Sequence, residues 1–346
     1  MLTLLLVWSQ GAARTADAST PHGAPAPATD SRGPGVALGL DFVDAGRSYV
    51  SLLWEAASHG ATAVSLVVEL RQTDVHAAAL IPGPDGPITA RSGDLRRAIR
   101  DAHALGLETM LLPIIQLDAR SEGDWRGVLA PATPEAWWAS YGAALLWIAE
   151  LAEEEGVSML SIGSELASME DDIAAWAGLV GRIRGVYGGR LTYSSNWDRF
   201  AQTPLWGLVD AVGVSAYFEV GRGVAPGALT ASHVMRQWSQ HARDIVGVAR
   251  GWGVPAVVTE LGFPNGETAG AAPWDYQRPA GPAPMLQAML LGAAMSVLAR
   301  HPEIERVYVW NWFGDGGVVD RGYSPRQKPA GVVLRRASTD SPERGQ

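Results

Sequence analysis

Short runs of Val, Ile and Leu alternate with longer segments of helical periodicity from Val36 onward. Most of the short runs are apolar at every position, which is typical of parallel strands buried on both faces. The predicted strands are Val36–Phe42, Thr62–Leu70, Leu107–Ile115, Ser158–Gly163, Leu191–Ser195, Ala211–Ser215, Ala256–Thr259 and Arg306–Trp310. The predicted helices are Tyr49–His59, Leu95–Leu105, Pro134–Glu155, Asp171–Tyr187, Ala231–Trp252 and Pro284–Arg300, with a short helix at Pro204–Leu208.

Eight such βα units predict an α/β fold, a single (β/α)₈ TIM barrel, for which about 250 residues plus loop insertions are usual. The main alternative is a doubly wound open sheet. The glycine-rich phosphate loops of that class are absent, because no G-x-G-x-x-G follows the first strand and no G-x-x-x-x-G-K-[ST] occurs in the chain. The pattern therefore favours the barrel.

The two ends of the chain lack the βα pattern. Residues 1–19 begin with the apolar run MLTLLLVW and continue into Ala-rich sequence, which resembles a secretory leader, although no Lys or Arg precedes the run. Residues 20–35, rich in Pro, Ala and Gly, are predicted to be a disordered linker. We expect one folded catalytic domain over residues 36–334 and a polar tail over residues 335–346. The leader run is too short to span a bilayer, and it indicates a protein that is secreted or periplasmic.

Composition excludes several kinds of partner and chemistry. The absence of Cys excludes disulfides, thiolate metal sites and a cysteine nucleophile, and the net charge of −9 argues against a nucleic-acid or anionic-membrane surface. The seven His residues form no H-E-x-x-H or other short ligand cluster, and no G-x-S-x-G motif occurs. We therefore predict a monomer with no metal, no other cofactor and no membrane-spanning segment.

Fourteen Trp residues against five Phe residues are unusual for a core, and they divide into two groups. Those inside predicted helices are expected to be packing groups: Trp137, Trp138, Trp147, Trp176, Trp238 and Trp252. Those at strand ends or in loops are expected to face a ligand: Trp197, Trp274, Trp310 and Trp312. A core position remains the alternative for Trp310.

Polar residues repeatedly follow the predicted strands, where a barrel carries its chemistry. Glu165 follows strand four and Glu260 follows strand seven, so both side chains are expected at the mouth. A carboxyl pair about 5–5.5 Å apart is the arrangement of retaining glycoside hydrolases. The alternative for Glu165 is an ordinary acid in the first turn of a helix.

Other strand-end residues are predicted to contact the ligand. They are Gln72 after strand two, Asn196 after strand five and Tyr217 after strand six. Tyr217 is placed to donate a hydrogen bond to a catalytic carboxylate, although a structural buried tyrosine is a close alternative. The acidic net charge favours a neutral or cationic partner, and the flat indole rings at the strand ends can stack on the apolar faces of sugars.

The chain resembles glycoside hydrolase family 113, a clan A (β/α)₈ family that includes β-mannan-degrading enzymes. The motifs that carry the resemblance are Ile162-Gly163-Ser164-Glu165-Leu166, Leu191–Trp197, Val212–Phe218, Thr259-Glu260-Leu261-Gly262, Gly270–Trp274, Trp310-Asn311-Trp312 and Gly322–Ala330. The resemblance implies that Glu165 is the general acid/base and Glu260 the nucleophile of a double displacement with retention. It also implies an endo-β-1,4-mannanase-like activity on a polysaccharide or oligosaccharide, with Glu165 kept protonated by burial and the nearby carboxylate.

Two departures leave alternatives open. Ser164 stands where clan A members commonly carry Asn, and Leu111-Leu112-Pro113-Ile114-Ile115 lacks the Lys and His that the resemblance leads us to expect beside the Pro. The loss of those polar groups leaves three further readings: a hydrolase of another β-linked glycan, a transglycosylase, or a catalytically silent barrel that binds or scaffolds glycans.

Overall fold

A computed structural model describes residues 33–40, 49–225, 227–275, 277 and 281–339. The predicted leader, most of the predicted linker, residues 41 and 42 of the first predicted strand, and residues 340–346 of the predicted tail lie outside this part of the chain.

Eight parallel strands pair in sequence order and close into a barrel, with β1 against β8. The strands are Gly35–Gly39 (β1), Ala63–Gln72 (β2), Glu108–Leu117 (β3), Met159–Ser164 (β4), Arg190–Asn196 (β5), Ala211–Ser215 (β6), Ala256–Leu261 (β7) and Ile304–Val309 (β8). The predicted (β/α)₈ barrel is thereby confirmed. Glu260 lies within β7 rather than after it, because the strand continues to Leu261.

Helices connect most of the strands. They are Val50–Ser58 (α1), Ser92–Ala104 (α2), Pro134–Glu154 (α3), Ile173–Arg184 (α4), Ala231–Trp252 (α5), Pro284–Leu298 (α6) and Gly331–Thr339 (α7). Three 3₁₀ turns accompany them, at Arg126–Val128, Ala167–Met169 and Pro204–Gly207. Helix α7 was not predicted; it runs across the predicted start of the tail at residue 335, and its Leu334 is fully buried. No helix in the described ranges has the length and apolarity needed to cross a membrane.

The strands bury both faces, which explains their continuous apolar runs. Inside the barrel, Ala37, Val67, Leu112, Val257 and Tyr308 belong to one cluster. The opposite faces pack against the helices in a second, larger cluster that contains Trp137, Trp176 and Trp238. Trp252 departs from the prediction that it packs, because it lies at the end of α5 and half of its side chain is exposed.

Candidate active site

Two irregularities in the strand register bring Ser164 and Glu260 to the barrel mouth. On β4, Ser161 pairs with Thr192 but Ser164 pairs with Ser194, so β4 carries an extra residue. On β7, Val258 pairs with Val214 but Glu260 pairs with Ser215, so β7 also carries an extra residue. Such bulges change which face a side chain takes. Strict alternation from Val258, which packs in the outer cluster, would have directed Glu260 away from the mouth.

Glu165 follows β4 in a left-handed backbone conformation, with φ of 55°. The next helical turn begins only at Ala167, so Glu165 is not the first-turn acid that the alternative interpretation required. Its carboxylate is buried, and both oxygens accept hydrogen bonds: Oε2 from Arg126 Nη2 at 2.6 Å and Oε1 from Ser215 Oγ at 2.5 Å. The side chain is therefore held from two sides.

Glu260 is buried beside Glu165, and Tyr217 donates a hydrogen bond of 2.8 Å to its Oε2. Burial and the negative charge of Glu165 raise the pKa of Glu260 to about 7, against the opposing effects of Arg126, Tyr217 and Ser164. Among the described residues, Oε1 of Glu260 and the hydroxyl of Ser164 have no hydrogen-bond partner. Ser164 is thus close enough to oppose the rise in the pKa of Glu260, but its hydroxyl is not oriented to form a hydrogen bond with the carboxylate.

Arg126 is a residue of this site that sequence reasoning missed. It lies in the 3₁₀ turn of the β3–α3 loop, well beyond the end of β3, so it does not share the strand-end pattern that predicts the other site residues. Burial opposes the charge of Arg126, but Glu165, Glu260 and Tyr217 outweigh it and raise its pKa. Arg126 is therefore a cation held against the carboxylate pair.

A third buried carboxylate, that of Glu170, lies close to the backbone that follows Glu165 and was also missed. The hydroxyl of Tyr193 accepts a hydrogen bond from the Leu166 backbone N–H at 2.8 Å and donates one to Glu170 at 3.0 Å. Thr203 donates to the other oxygen of Glu170, and Arg199 forms an ion pair with it at 3.6 Å. Burial nevertheless raises the pKa of Glu170. This network fixes the backbone that immediately follows Glu165.

The structure brings most of the predicted ligand-contacting residues to the mouth. Asn196 ends β5 and is partly exposed, and Trp197 stands edge-on to Phe218. Trp274 is half exposed in the β7–α6 loop. Trp310 follows β8, is partly exposed and packs against the cluster inside the barrel, so its ring faces the barrel side.

Two predicted ligand contacts are not at the mouth. Gln72 is fully buried, and its amide accepts from the indole N–H of Trp137 and donates to the Asp74 carbonyl. Trp312 is also fully buried and packs against His59 in the outer cluster. Both side chains serve the packing between barrel and helices, which corrects their assignment to ligand binding.

Charged groups form the rim of the mouth on β2 and β3. Arg71 binds both carboxylate oxygens of Asp118, at 2.8 and 2.7 Å, and Arg120 donates to Gln116 at 2.6 Å. Within the described ranges, no group of three or more His, Asp or Glu side chains is placed to hold a metal ion. The chemical groups at the mouth are therefore two buried carboxylates, an arginine, hydroxyls and indoles.

Comparisons with known proteins agree with this geometry. The model of Glycoside Hydrolase Family 113 matches residues 47–317. The GH113 β-mannanase AaManA from Alicyclobacillus acidocaldarius, solved in complex with ManMIm, is 25% identical, with a TM-score of 0.77 over 89% of this chain and 96% of that chain.

Other solved structures share the fold. A GH113 β-1,4-mannanase is 19% identical, with a TM-score of 0.77 over 89% of this chain and 98% of that chain. A GH5_18 protein from Streptomyces cattleya is 14% identical, with a TM-score of 0.59 over 89% and 80%. A search of curated protein sequences gave no match. Because the family model covers more than half of the chain, the chain belongs to glycoside hydrolase family 113 and is a glycoside hydrolase.

Proposed function

We propose that the protein is an endo-acting hydrolase that cleaves internal linkages of β-1,4-mannan. The reaction is a double displacement that retains the anomeric configuration. The observation that carries this proposal is the pairing of buried Glu165 and Glu260 at the ends of β4 and β7, each held by hydrogen-bond donors. Glu165 is the general acid/base and Glu260 the nucleophile. Among the residues that the structure describes, Glu165 and Glu260 are the carboxyl pair at the mouth that fits this chemistry.

In the first step, an oxygen of Glu260 attacks the anomeric carbon while Glu165 gives its proton to the glycosidic oxygen. The bond between the anomeric carbon and that oxygen breaks, and the leaving chain departs with the proton. The sugar is then an ester of Glu260, and Glu165 is ionised. Arg126 and Ser215, which donate to Glu165, favour this ionised product.

In the second step, Glu165 acts as the base. It takes a proton from a water molecule whose oxygen attacks the anomeric carbon, and the ester bond to Glu260 breaks. Glu260 leaves as a carboxylate, which Tyr217 stabilises by its hydrogen bond. Glu165 again carries the proton at the end of the cycle.

Burial and the neighbouring carboxylate raise the pKa of Glu260 to about 7, and both oxygens of Glu165 accept hydrogen bonds. The reactive form of the pair has the proton on Glu165 and Glu260 ionised. Arg126 and Tyr217 both favour the ionised form of Glu260.

The assignment to mannan is supported by the solved relatives, which are described as β-mannanases. The third strand limits this support, because Leu112 and Ile114 pack in the apolar cluster inside the barrel and offer no hydrogen bond to a sugar. Another β-linked glycan is accordingly the second candidate substrate.

The decisive experiment measures reducing-sugar release by the purified full chain on β-mannan, glucomannan, β-glucan and xylan. Glu260→Ala and Glu165→Ala are compared with Glu122→Ala, which removes an exposed glutamate in the β3–α3 loop. We expect release from mannan, a loss of several orders of magnitude in both site variants, and no change in the control. Circular dichroism checks that each variant folds.

Other results of this experiment would indicate other functions. Release from β-glucan or xylan alone would assign another β-glycan, and products longer than the substrate would indicate transglycosylation. Glycan binding without turnover, unchanged in Glu260→Ala, would indicate a silent binding barrel. Proton NMR of the first products tests retention, because an initial α-anomer would contradict the double displacement.

We also propose that the protein is exported and acts as a monomer. Export is supported by the apolar and Ala-rich pattern of residues 1–19 and by a polymeric substrate. Amino-terminal sequencing of protein recovered outside the cytoplasm tests this proposal, since an intact Met1 in a cytoplasmic fraction would contradict it. Light scattering on a sizing column tests the monomer.

A further inference from the structure

The carboxylate pair has a counter-ion that comes from a loop rather than from a strand end. Glu165 and Glu260 are both almost fully buried, and two buried carboxylates repel each other strongly. The guanidinium of Arg126 lies against Glu165 with an N···O distance of 2.6 Å, and its side chain is only 21% exposed. A largely buried positive charge at this position offsets the repulsion.

We propose that Arg126 is a positioning residue that orients Glu165 and supplies the positive charge that favours the ionised form of Glu260. This inference rests on the proposed function, in which both glutamates act. It assigns to the β3–α3 loop a role in setting the pH range of the reaction.

The loop is built to hold this charge in place. Arg126 begins a 3₁₀ turn that packs against the turn following Glu165, and Ser168 donates a hydrogen bond of 2.7 Å to the Leu129 carbonyl between the two turns. The indole of Trp125 covers Gly127 so closely that a Cβ there would lie 2.2 Å from the ring. The packing of the two turns and the Ser168–Leu129 hydrogen bond therefore join the β3–α3 loop to the turn that follows Glu165.

The charge acts on both members of the pair. Arg126 counteracts the effect of burial and of Glu165 on Glu260, and so lowers the pKa of Glu260 toward its value of about 7. The other groups that face Glu260 are Glu165 after β4, Tyr217 after β6 and Ser164 on β4. Without Arg126, Glu260 would ionise only at higher pH.

The test compares Arg126→Gln, Arg126→Lys and Arg120→Gln in the full chain. Arg120 lies in the same loop, but its hydrogen bonds go to Gln116 and the Leu117 carbonyl, so it is the matched control. The glutamate carboxyl carbons are labelled with ¹³C and titrated by NMR, with Glu260→Gln used to assign the signal. The pH profile of kcat/KM is measured in parallel.

We expect Arg126→Gln to move the titration of Glu260 and the acidic limb of the profile upward by about one pH unit or more, and to lower kcat/KM by about 10- to 100-fold. Arg126→Lys should show little of this upward shift because it keeps the positive charge, and Arg120→Gln should match the wild type. A loss of activity without any shift would overturn the proposal in favour of a purely structural role. Because the NMR titration needs no substrate, it decides the inference even if the wild type shows no turnover, which would count against the proposed function instead.

Discussion

The hydroxyl of Tyr217 donates a hydrogen bond of 2.8 Å to Oε2 of Glu260, across the pairing of β6 with β7. A hydrogen bond to a carboxylate favours its ionised form, and it is worth about 1.5–3 kcal/mol when one partner is charged. Glu260 is otherwise disfavoured as an anion by its burial and by Glu165. Tyr217 therefore favours the ionised form of Glu260, the proposed nucleophile, and in the part of the chain that the structure describes it leaves Oε1 as the oxygen without a hydrogen bond.

Tyr217→Phe is expected to lower kcat/KM by about 10- to 100-fold, the effect of losing that hydrogen bond. The acidic limb of the pH profile should also move to higher pH, because Tyr217 lowers the pKa of Glu260. Tyr323→Phe is the control, since Tyr323 packs edge-on to Tyr217 but donates its hydrogen bond to the Pro273 carbonyl. Equal losses in the two variants would contradict the assignment.

The pH dependence of stability provides an independent test of Glu260. Its pKa rises from 4.5 to about 7 on folding, so the folded chain binds this proton more tightly than the unfolded chain. The resulting stabilisation is complete below pH 4.5 and is lost as the pH rises through about 7.

Glu260→Gln keeps the neutral form at every pH. We expect it to match the wild type near pH 4.5 and to be more stable by about 3 kcal/mol above pH 8. Urea unfolding followed by tryptophan fluorescence measures the difference, and Glu122→Gln at an exposed position is the control. A difference that does not grow with pH would show that Glu260 is ionised normally.

The barrel and the place of each glutamate at the carboxyl end of its strand could be predicted because they depend on local pattern. Continuous apolar runs identify parallel strands, and an acid that ends such a run is rarely left without a function or a partner. The face that each side chain takes depends on register. Ser164 and Glu260 reach the mouth through extra residues in β4 and β7, which alternation does not reveal.

The errors also have physical causes. Gln72 follows Leu66, Val68 and Leu70 at alternate positions of β2, and these three pack against the helices, so the period of two already placed Gln72 on the outer face. Trp312 lies beyond the end of β8, where the period no longer applies. Arg126 reaches the site from a loop, and nothing in its local sequence distinguishes it from a surface arginine.

Tyr193→Phe tests the network behind Glu165. It removes the acceptor of the Leu166 N–H and the donor to Glu170, so we expect a loss of about 3 kcal/mol in unfolding free energy and a fall in kcat. Tyr187→Phe removes one buried hydroxyl that donates to the Val157 carbonyl, far from the glutamates in sequence and strand position. Tyr187→Phe should lower the unfolding free energy by about 1–2 kcal/mol and leave kcat unchanged. If kcat falls equally in both tyrosine variants, the role of Tyr193 is only structural.

Gly213→Ala tests the close approach of β6 to β5. A Cβ at Gly213 would lie 2.2 Å from the Tyr193 carbonyl oxygen, which is backbone and cannot move freely, so we expect a loss of at least about 2 kcal/mol. Gly181 is exposed within α4, and a Cβ there meets nothing within 4 Å. Gly181→Ala should instead raise the stability by about 1 kcal/mol, because Ala is the better helix former. Thermal melts of both variants test these opposite changes in stability.

Trp274 and Trp252 expose nearly the same fraction of their side chains, 49% and 50%, but lie at opposite ends of the barrel. Trp274 is in the β7–α6 loop beside the mouth, whereas Trp252 ends α5, whose last turn lies at the end where β7 begins. A ring that covers the apolar face of a bound sugar contributes about 1–2 kcal/mol from the surface it buries. Trp274→Ala should therefore raise KM by about 5- to 30-fold with little change in kcat, while Trp252→Ala leaves both constants unchanged. If the two variants behave alike on a soluble mannan oligosaccharide, Trp274 does not contact the substrate, and the binding surface extends instead toward Trp197 and Trp310.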